Sequence, residues 1–219
     1  MFYQSIRIQI AIITKLINNT KFKIDKGDHL LDTHTHILWN IDDGSKNQCM
    51  SLQMLEIAAR SGTKAIFATP HVIERANKPS WEEIKEKTQQ LRQLCAEAQI
   101  DIMLYPGAEV QMNWELLPEL GATGAYCLNG GRYLLIELPA AEIPAYADEF
   151  WYELELKGIT PILAHPERYQ QLRENLTCCY CGGGVACLCS ATAAALPACS
   201  AAASVRMPRS CWQMVWSIC

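Results

Sequence analysis

The sequence lacks several features that would place it in a simple class of protein. It has no excess of positive charge, since 19 Lys and Arg stand against 23 Asp and Glu, and this argues against a nucleic-acid binder that gains affinity by releasing counterions. Residues 1–177 contain no apolar run long enough to span a bilayer, and Gly, Ser and Pro interrupt the apolar residues of 178–219. Disorder is disfavoured because 50% of the residues are hydrophobic. A chain of 219 residues is long enough for one domain with a substantial core.

The composition changes sharply along the chain. Residues 178–219 contain no Asp, Glu or His, only two charged residues, and eight of the 11 cysteines. Residues 29–177 carry 12 basic and 21 acidic side chains, whereas residues 1–28 carry five and two. The sequence therefore predicts three segments, which are an N-terminal extension 1–28, a globular domain 29–177 and an anomalous tail 178–219 rich in Ala and Cys.

The N-terminal extension contains a short apolar stretch, 6–17, that Arg7, Gln9 and Lys15 interrupt. This stretch is too short to cross a bilayer, and no small-residue cleavage site follows it clearly. A surface segment is favoured over a helix lying on a membrane, although the lysines of 1–28 keep the second interpretation open. With no recognisable signal peptide and only three cysteines in 1–177, the sequence predicts a reduced, cytoplasmic protein without stable membrane insertion.

Short apolar strands and amphipathic helices alternate between residues 30 and 164. The predicted strands are 30–37, 64–69, 100–105, 133–138 and 160–164. Helices are predicted over 45–61, after a capping box at Ser80 and Glu83, and over 146–157. This βαβα order predicts an α/β fold with a parallel sheet or barrel.

Each predicted helix has one face that we expect to be buried. The first face is Cys49, Leu52, Leu55 and Ala59, the second is Ile84, Thr88, Leu91 and Cys95, and the third contains Phe150 and Leu154. Gly62 and Gly158 are expected to stop the first and third helices.

Side chains that bind metals follow the predicted strands at their carboxyl ends. They are His34 and His36, His71, Glu109, Glu137 and His165, with Asp43 in the loop after the first strand. Parallel barrels build their sites from these strand ends, and His34 and His36, two apart on a strand, point to one face. A single His-x-His, or Asp42-Asp43-Gly44 alone, would indicate only structural histidines or a turn. The joint pattern indicates a site, since four of the five histidines lie at strand ends.

Four imidazoles and three carboxylates at one mouth predict a cluster of metal ions. Buried charges need a partner or a metal ion, and mixed nitrogen and oxygen ligands suit Mn, Fe or Zn better than Ca. Seven ligands exceed the needs of one tetrahedral ion, so we expect two or three ions, an arrangement used in phosphate ester hydrolysis. Glu109 is the most natural bridging carboxylate.

Arg168 is the remaining candidate for this mouth. It follows His165 by three residues, and its planar guanidinium could hold a phosphate there. A surface salt bridge with Glu167 or Glu174 is the alternative, and the geometry of Arg–phosphate pairs favours the phosphate.

Other phosphate chemistries are disfavoured. Cysteine phosphatases need an Arg six residues after the nucleophile, whereas Cys127 precedes Arg132 by five residues and Cys199 precedes Arg206 by seven. No Walker-type Gly-Lys-Ser/Thr loop occurs in the sequence.

Six blocks of the sequence contain the candidate residues. They are Leu31-Asp32-Thr33-His34-Thr35-His36-Ile37-Leu38, Ile41-Asp42-Asp43-Gly44, Ala68-Thr69-Pro70-His71, Gly107-Ala108-Glu109-Val110, Leu135-Ile136-Glu137-Leu138-Pro139 and Ile162-Leu163-Ala164-His165-Pro166-Glu167-Arg168-Tyr169. In order and spacing, over about residues 30–176, these blocks resemble the manganese-dependent tyrosine-protein phosphatases of bacterial capsule and exopolysaccharide systems, which belong to the polymerase-and-histidinol-phosphatase (PHP) superfamily. The resemblance implies a distorted (β/α)7 barrel of the PHP type.

The resemblance also implies roles for the candidate residues. His34, His36 and Glu109 would hold one manganese ion, Glu109, Glu137 and His165 a second, and Asp43 and His71 would help to hold a third. Iron, cobalt or magnesium could replace manganese. Arg168 would be the catalytic residue that binds the substrate phosphate, and a hydroxide bridging the metals would attack phosphorus. The family's usual substrate, and so the implied partner, is a phosphorylated bacterial tyrosine kinase that controls polysaccharide chain length and export.

Two other functions remain open at this point. A PHP phosphoesterase for a small metabolite such as histidinol phosphate would use similar ligands. A non-catalytic protein could keep only the surface that binds the kinase. A capsule locus or a histidine-biosynthesis locus would separate the two enzymes, and two or more bound transition metals would argue against the inert binder.

The sequence departs from the family at two places. Trp39-Asn40 stands where the family usually has Pro-Gly, which alters a loop rather than a ligand. The family also closes with an Ala-Ser-Asp-Ala-His-type motif whose Asp and His complete the metal shell, and residues 178–219 contain neither residue type. We therefore expect the C-terminal part of the barrel to be truncated or scrambled, with weak activity and poor solubility, because an unclosed barrel exposes sheet edges.

Three interpretations of the tail compete. The first is a zinc cluster, but the cysteines of the tail lack the paired Cys-x2-Cys spacing of such clusters. The second is a disulfide-rich module, which would need export from the cell. The third hypothesis is a shifted reading frame. Residues 211–219 can be encoded by codons that, regrouped one nucleotide earlier, read Leu-Leu-Ala-Asp-Gly-Leu-Val-His-Leu, which resembles what the family has before its final motif. We expect an insertion or deletion of one nucleotide near codons 172–180, with the chain stopping before the last ligands.

Overall fold

The computed structural model describes residues 30–120, 124–140, 142–165 and 168–169, together with the backbone of 188–192 and 214–217. The expectations for residues 1–28 and for the remainder of the tail lie outside the described residues. Within the described part, the predicted α/β fold with parallel strands is confirmed, because every pair of named strands is parallel.

Among the residues described above, nine strands form two sheets. They are β1 (Leu30–Thr35), β2 (Thr63–Ala68), β3 (His71–Val72), β4 (Met103–Pro106), β5 (Glu109–Gln111), β6 (Tyr133–Glu137), β7 (Thr160–Ala164), β8 (Leu188–Thr192) and β9 (Met214–Ser217). One sheet has the order β1-β2-β4, and the other has the order β3-β5-β6-β7-β8-β9. The predicted strand 160–164 matches β7, whereas β1 ends two residues earlier than predicted and β4 begins three residues later.

The short strands β3 and β5 continue β2 and β4 after a kink. Thr69-Pro70 separates β2 from β3, and Gly107-Ala108 separates β4 from β5. Pairing continues across the kink, because Gly107 N donates to Ala68 O at 2.9 Å and Glu109 N donates to Pro70 O at 3.0 Å. The two sheets are therefore joined through two bent strands. The predicted strands 64–69 and 100–105 end at the kink, so the sequence does not predict β3 or β5.

In the described ranges three α-helices connect strands, and their predicted ends and faces are mostly confirmed. They are α1 (Gln48–Arg60), α2 (Trp81–Glu97) and α3 (Ala147–Leu156). Ser80 caps α2 by accepting from Glu83 N at 3.1 Å, as one half of the predicted capping box requires. The predicted buried residues of α2 and α3 are all buried. The structure also has a 3-10 helix, Leu128–Gly130, in the long connection before β6.

The predicted buried face of α1 is partly wrong. Leu55 is buried as expected, but Cys49 is exposed, and Leu52 and Ala59 are only partly buried. The second buried residue is Ser51, whose hydroxyl donates to Ile37 O at 2.6 Å. A prediction that counts apolar residues alone does not find a buried serine whose hydrogen bond satisfies its hydroxyl group.

The strands are buried on both faces, as strands of a parallel sheet usually are. One cluster, packed against the helices, contains Ile66, Leu104, Leu134, Ile136, Leu163 and the helix residues Leu55, Leu91 and Phe150. A second cluster on the opposite face contains Ala65, Phe67, Tyr105, Leu135, Ile162 and Ala164. The two sets alternate along the strands, because successive side chains point to opposite faces.

Two segments of the tail are strands that the sequence did not predict. β8 pairs with β7, and β9 pairs with β8, both in parallel. Cα atoms of β9 also lie within 8 Å of those of β1 at the far end of the other sheet. Among the residues that the structure describes, no helix combines the length and the apolar character needed to cross a membrane.

Cysteine reactivity tests this pattern of burial. Burial raises the pKa of Cys95 to about 11 and that of Cys127 to about 12, so both thiols stay protonated near pH 8, whereas Cys49 is exposed. We expect iodoacetamide at pH 8 to alkylate Cys49 in the native protein, and Cys95 and Cys127 only after unfolding, because the thiolate is the reactive form. Peptide mass spectrometry measures this, and equal labelling of the three cysteines in the native protein would contradict the fold.

Candidate metal centre

The strand ends bring the seven predicted ligands together at one end of the sheets. His34 lies in β1, His36 follows β1, Asp43 lies in the next loop, His71 and Glu109 begin β3 and β5, Glu137 ends β6, and His165 follows β7. The register of the kinked strands pairs His71 directly with Glu109. Because parallel strands all run the same way, residues at their carboxyl ends meet at one edge.

The carboxylate of Glu109 is the centre of the site. Its side chain is completely buried, and its Oε2 lies 3.0 Å from His34 Nε2, 3.2 Å from His36 Nε2 and 3.2 Å from His71 Nδ1. Its Oε1 lies 3.5 Å from His165 Nε2. One buried carboxylate is therefore surrounded by four imidazoles.

These contacts shift the protonation equilibria of the site. Burial opposes ionisation of Glu109, but the imidazoles of His34 and His36 outweigh it and hold its pKa well below the usual range. Burial lowers the pKa of His34, although Glu109 acts in the opposite direction. An ionised carboxylate beside a neutral imidazole is the form in which both groups bind metal ions.

The buried donor atoms fit a group of metal ions. Neither oxygen of Glu109 makes a hydrogen bond of good geometry, and neither does His71 Nδ1, although buried polar atoms usually do. Three sets of side chains have ligand atoms that all lie within 4.8 Å of one another, namely His34, Glu109 and His165; His36, Asp43 and His71; and His71, Glu109 and Glu137. Imidazole nitrogens and carboxylate oxygens together suit Mn, Fe or Zn.

These three sets divide the residues differently from the assignment that the family resemblance implies. His34 and His165 share a set, while His36 goes with Asp43 and His71. His34 and His36 both contact the same oxygen of Glu109, however. Glu109 belongs to two of the three sets, which is the position of a bridging carboxylate.

The loop after β1 carries Asp43 to the site. Its exposed carboxylate lies 3.7 Å from His71 Nε2. Ser45 N donates to His36 O at 3.0 Å, and this hydrogen bond folds the loop back over the end of β1. Gly44 packs against His36 so closely that an added Cβ would lie 2.4 Å from the Cβ of His36, so the loop requires glycine here.

Asp42 is a site residue that the sequence did not predict, because Asp42-Asp43-Gly44 by itself indicates only a turn. The Oδ2 of Asp42 lies 2.7 Å from His36 Nδ1 and accepts from His71 N at 3.0 Å. Burial alone would lower the pKa of His36, but Asp42 and Glu109 outweigh it and raise that pKa to about 10. The only signal in the sequence was a second Asp beside a candidate ligand.

Glu137 and Arg168 lie together at the rim of the site. Arg168 Nη1 is 3.5 Å from Glu137 Oε1, and the Arg168 side chain is 58% exposed. His165 has a φ of 48°, which is uncommon for a residue other than glycine, and its carbonyl accepts from Arg168 N at 2.9 Å. This turn brings Arg168 to the site. The alternative partners Glu167 and Glu174 lie outside the described residues.

Burial and the charge of Glu109 raise the pKa of Glu137. Two carboxylates so close to one another repel when both are ionised. A bound cation between them would remove this repulsion, which agrees with the set formed by His71, Glu109 and Glu137.

Known proteins are similar to this chain in sequence. The tyrosine-protein phosphatase YwqE of Bacillus subtilis (strain 168) is 35% identical over 151 residues, which cover 69% of this chain and 59% of YwqE. The tyrosine-protein phosphatase CpsB of Streptococcus pneumoniae is 31% identical over 146 residues, which cover 67% of this chain and 60% of CpsB. The chain thus spans about three fifths of the length of the curated relatives it matches.

A solved structure is also similar to this chain. It comes from work on YwqE of Bacillus subtilis and CpsB of Streptococcus pneumoniae, described as unique metal-dependent tyrosine phosphatases. It superimposes on this chain with a TM-score of 0.69 at 32% sequence identity, and the match covers 76% of this chain and 68% of that chain. Residues 30–181 match the family described as capsular polysaccharide synthesis, CpsB/CapC. All of the candidate ligands lie within that range, and the chain belongs to the CpsB/CapC family.

Proposed function

We propose that this protein hydrolyses phosphotyrosine in a metal-dependent reaction, and that its substrate is a bacterial tyrosine kinase that regulates capsular or extracellular polysaccharide synthesis. The observation that carries the proposal is the buried Glu109 carboxylate with four imidazoles around it. The names of YwqE and CpsB support the reaction, and the description of their structures supports its dependence on metal. The family's description supports the link to capsule synthesis.

The proposed metal is manganese, with two or three ions held by His34, His36, Asp43, His71, Glu109, Glu137 and His165; iron, cobalt or magnesium could serve instead. Bound there, the ions would stabilise negative charge on the phosphoryl group and activate water for attack. Glu109 is suited to bridge two ions, because Oε2 faces three imidazoles while Oε1 faces His165.

Arg168 is the proposed catalytic residue that binds the substrate phosphate. Its guanidinium is exposed at the rim, and its contact with Glu137 is long, at 3.5 Å. An exposed pair of this kind contributes little stability, so the guanidinium is free to exchange Glu137 for a phosphate, which it can bind through two parallel hydrogen bonds. In this role it orients the phosphotyrosine against the ligands of the site.

We infer that residues 29–177 supply five of the seven strand positions of a distorted (β/α)7 barrel of the PHP type. The support is the strand order. The pair β2 and β3 can be counted as one bent strand, and so can the pair β4 and β5. The strands β1 to β9 then occupy seven parallel positions, and the last of them, β9, lies beside the first, β1. The last two positions fall in the tail 178–219, which has no Asp, Glu or His, so β8 and β9 bring no carboxylate or imidazole ligand.

The phosphorylated kinase is the proposed partner, and the cytoplasm is the proposed compartment. The buried free thiols of Cys95 and Cys127 are in keeping with a reducing environment. The net charge of -4 supports neither a nucleic acid nor an anionic membrane as a partner.

Metal binding can be tested through stability. A ligand at 100 times its Kd stabilises the folded state by about 2.7 kcal/mol, so Mn²⁺ added to chelator-treated protein should raise Tm. We expect Glu109→Gln to abolish most of this shift, because it removes the proposed bridging charge. Glu149→Gln, an exposed substitution on α3, should leave the shift unchanged. Equal Mn²⁺-dependent shifts in the wild type and E109Q, measured by differential scanning fluorimetry, would contradict the proposed site.

The substrate and the role of Arg168 can be tested by kinetics. We expect Mn²⁺-dependent hydrolysis of a phosphotyrosine peptide to exceed that of histidinol phosphate. Arg168→Ala should raise KM for the peptide about 10–100-fold, since a hydrogen bond to a charged group contributes about 1.5–3 kcal/mol, and Arg168→Lys should recover part of the loss. The control is Arg132→Ala, which removes an exposed Arg just before β6 whose guanidinium donates to Thr160 Oγ1 at the start of β7. A preference for histidinol phosphate would favour the metabolite phosphoesterase, and a chain that binds fewer than two transition-metal ions and hydrolyses neither compound would favour the kinase-binding remnant.

The tail can be tested at the level of the gene. We propose that 178–219 is out of frame after a one-nucleotide change near codons 172–180. Sequencing the locus should find the change, and restoring the frame should recover an Asp/His motif and raise kcat/KM for the phosphotyrosine peptide above that of the present chain. A reading frame that encodes 178–219 as given, or activity of the present chain equal to that of YwqE, would contradict this part of the proposal.

A further inference from the structure

Asp42 is not among the proposed metal ligands, yet its carboxylate is held by three hydrogen bonds at the edge of the site. Its side chain is 1% exposed. Oδ2 contacts His36 Nδ1 at 2.7 Å and accepts from His71 N at 3.0 Å, while Oδ1 accepts from Gly44 N at 2.9 Å. The carboxylate therefore joins the loop after β1 to the first residue of β3.

The neighbours of Asp42 fix the direction of its contact with His36. Oδ2 accepts from His71 N and Oδ1 accepts from Gly44 N, so both oxygens act as acceptors. His36 Nδ1, 2.7 Å from Oδ2, is then the donor in their contact, and Nε2 faces Glu109 Oε2 at 3.2 Å.

A turn residue would not need these contacts. The hydrogen bond from Gly44 N to Asp42 Oδ1 is the usual Asx-turn contact and explains the local bend. The other oxygen is used by two groups outside that bend, His36 and the backbone N–H of His71, which lies 29 residues further along the chain. These two groups belong to residues of one candidate metal set, His36, Asp43 and His71.

We propose that Asp42 is a positioning residue for the metal centre, whose carboxylate fixes His36 with Nε2 toward the metal and holds the backbone of His71 beside it. This inference rests on the proposed metal-dependent function. The imidazole rings of His36 and His71 lie with their centroids 4.5 Å apart, so one carboxylate that contacts the ring of His36 and the backbone N of His71 can set their spacing. Groups that hold the second nitrogen of a metal-binding histidine typically change metal affinity about 10–100-fold when removed.

The backbone of His71 is held from the other side as well. Asn77 Nδ2 donates to His71 O at 2.8 Å. With Asp42 accepting from His71 N, both backbone groups of this residue have side-chain partners. Removing Asp42 should therefore release His36 more than it releases β3.

The first test measures binding of Mn²⁺ alone to the chelator-treated full chain by isothermal titration calorimetry. We expect Asp42→Ala to weaken one class of sites about 10–100-fold. Asp42→Asn should fall between D42A and the wild type, because one amide oxygen can still accept from His36 Nδ1 while the amide nitrogen cannot. The matched control is Asp101→Asn, which alters an exposed carboxylate paired with Lys64 at 2.9 Å, and it should bind Mn²⁺ like the wild type.

The second test reads the contact itself in protein labelled with ¹⁵N-histidine. His36 Nδ1–H should give a slowly exchanging resonance in the wild type, assigned by its absence from His36→Gln, and this resonance should be lost in D42A. Because it is read in the metal-free protein, it separates the two proposals. A wild type that binds no Mn²⁺ would reject the proposed function, while loss of the resonance in D42A would still support positioning of His36 by Asp42.

Two results would overturn the inference. One is wild-type Mn²⁺ affinity in both D42A and D42N. The other is an unchanged His36 Nδ1–H resonance in D42A. Circular dichroism checks folding, and if D42A does not fold, D42N decides, because it keeps the size of the side chain and one acceptor. D42N must then bind Mn²⁺ more weakly than D101N for the inference to stand.

Discussion

The burial of the Glu109 carboxylate is the constraint on which the rest of the site depends. A carboxylate without a cationic or hydrogen-bonding partner is costly inside a protein, and this one is fully buried with imidazole nitrogens at 3.0–3.5 Å. Its oxygens nevertheless lack well-formed hydrogen bonds. Such an arrangement is more favourable around cations than without them, which supports the proposed metal centre.

The fold meets this constraint with two kinked strands. The kink at Thr69-Pro70 and the kink at Gly107-Ala108 lie side by side, and the pairing resumes with His71 opposite Glu109. Two candidate ligands are thereby placed next to each other by backbone hydrogen bonds rather than by flexible loops. A site built on strands in this way is held more firmly than one built on loops. His36 and His165 directly follow strand ends, while Asp43 depends on a loop for its position.

The sequence predicted the parts of the structure that follow from simple periodicity. The face of α2 and the extent of β7 agree with prediction, because regular apolar spacing determines them. Histidines at strand ends led to the right set of neighbouring residues, because parallel strands share a direction. Ser51 was missed in α1 since its burial depends on a hydrogen bond to a distant carbonyl.

Asp42 shows a different limit of sequence analysis. Its local pattern is that of a turn, and the turn exists. The contacts that connect it to the site come from His36 and from β3, and no local spacing encodes them. Likewise, β3 and β5 are defined by pairing across a kink, and β8 and β9 lie in a segment with no periodic signal. Tertiary contacts therefore decided what local patterns left open.

If Glu109 is the central ligand of a cluster of metal ions, ordered ions must lie beside its carboxylate. Anomalous X-ray scattering at the manganese edge, from crystals of the full chain grown with Mn²⁺, locates such ions. We expect two or three anomalous peaks, with Glu109 as a ligand of at least two ions and one ion beside His36, Asp43 and His71. No peak in contact with Glu109, or peaks only at surface carboxylates, would show that the proposed metal centre is wrong.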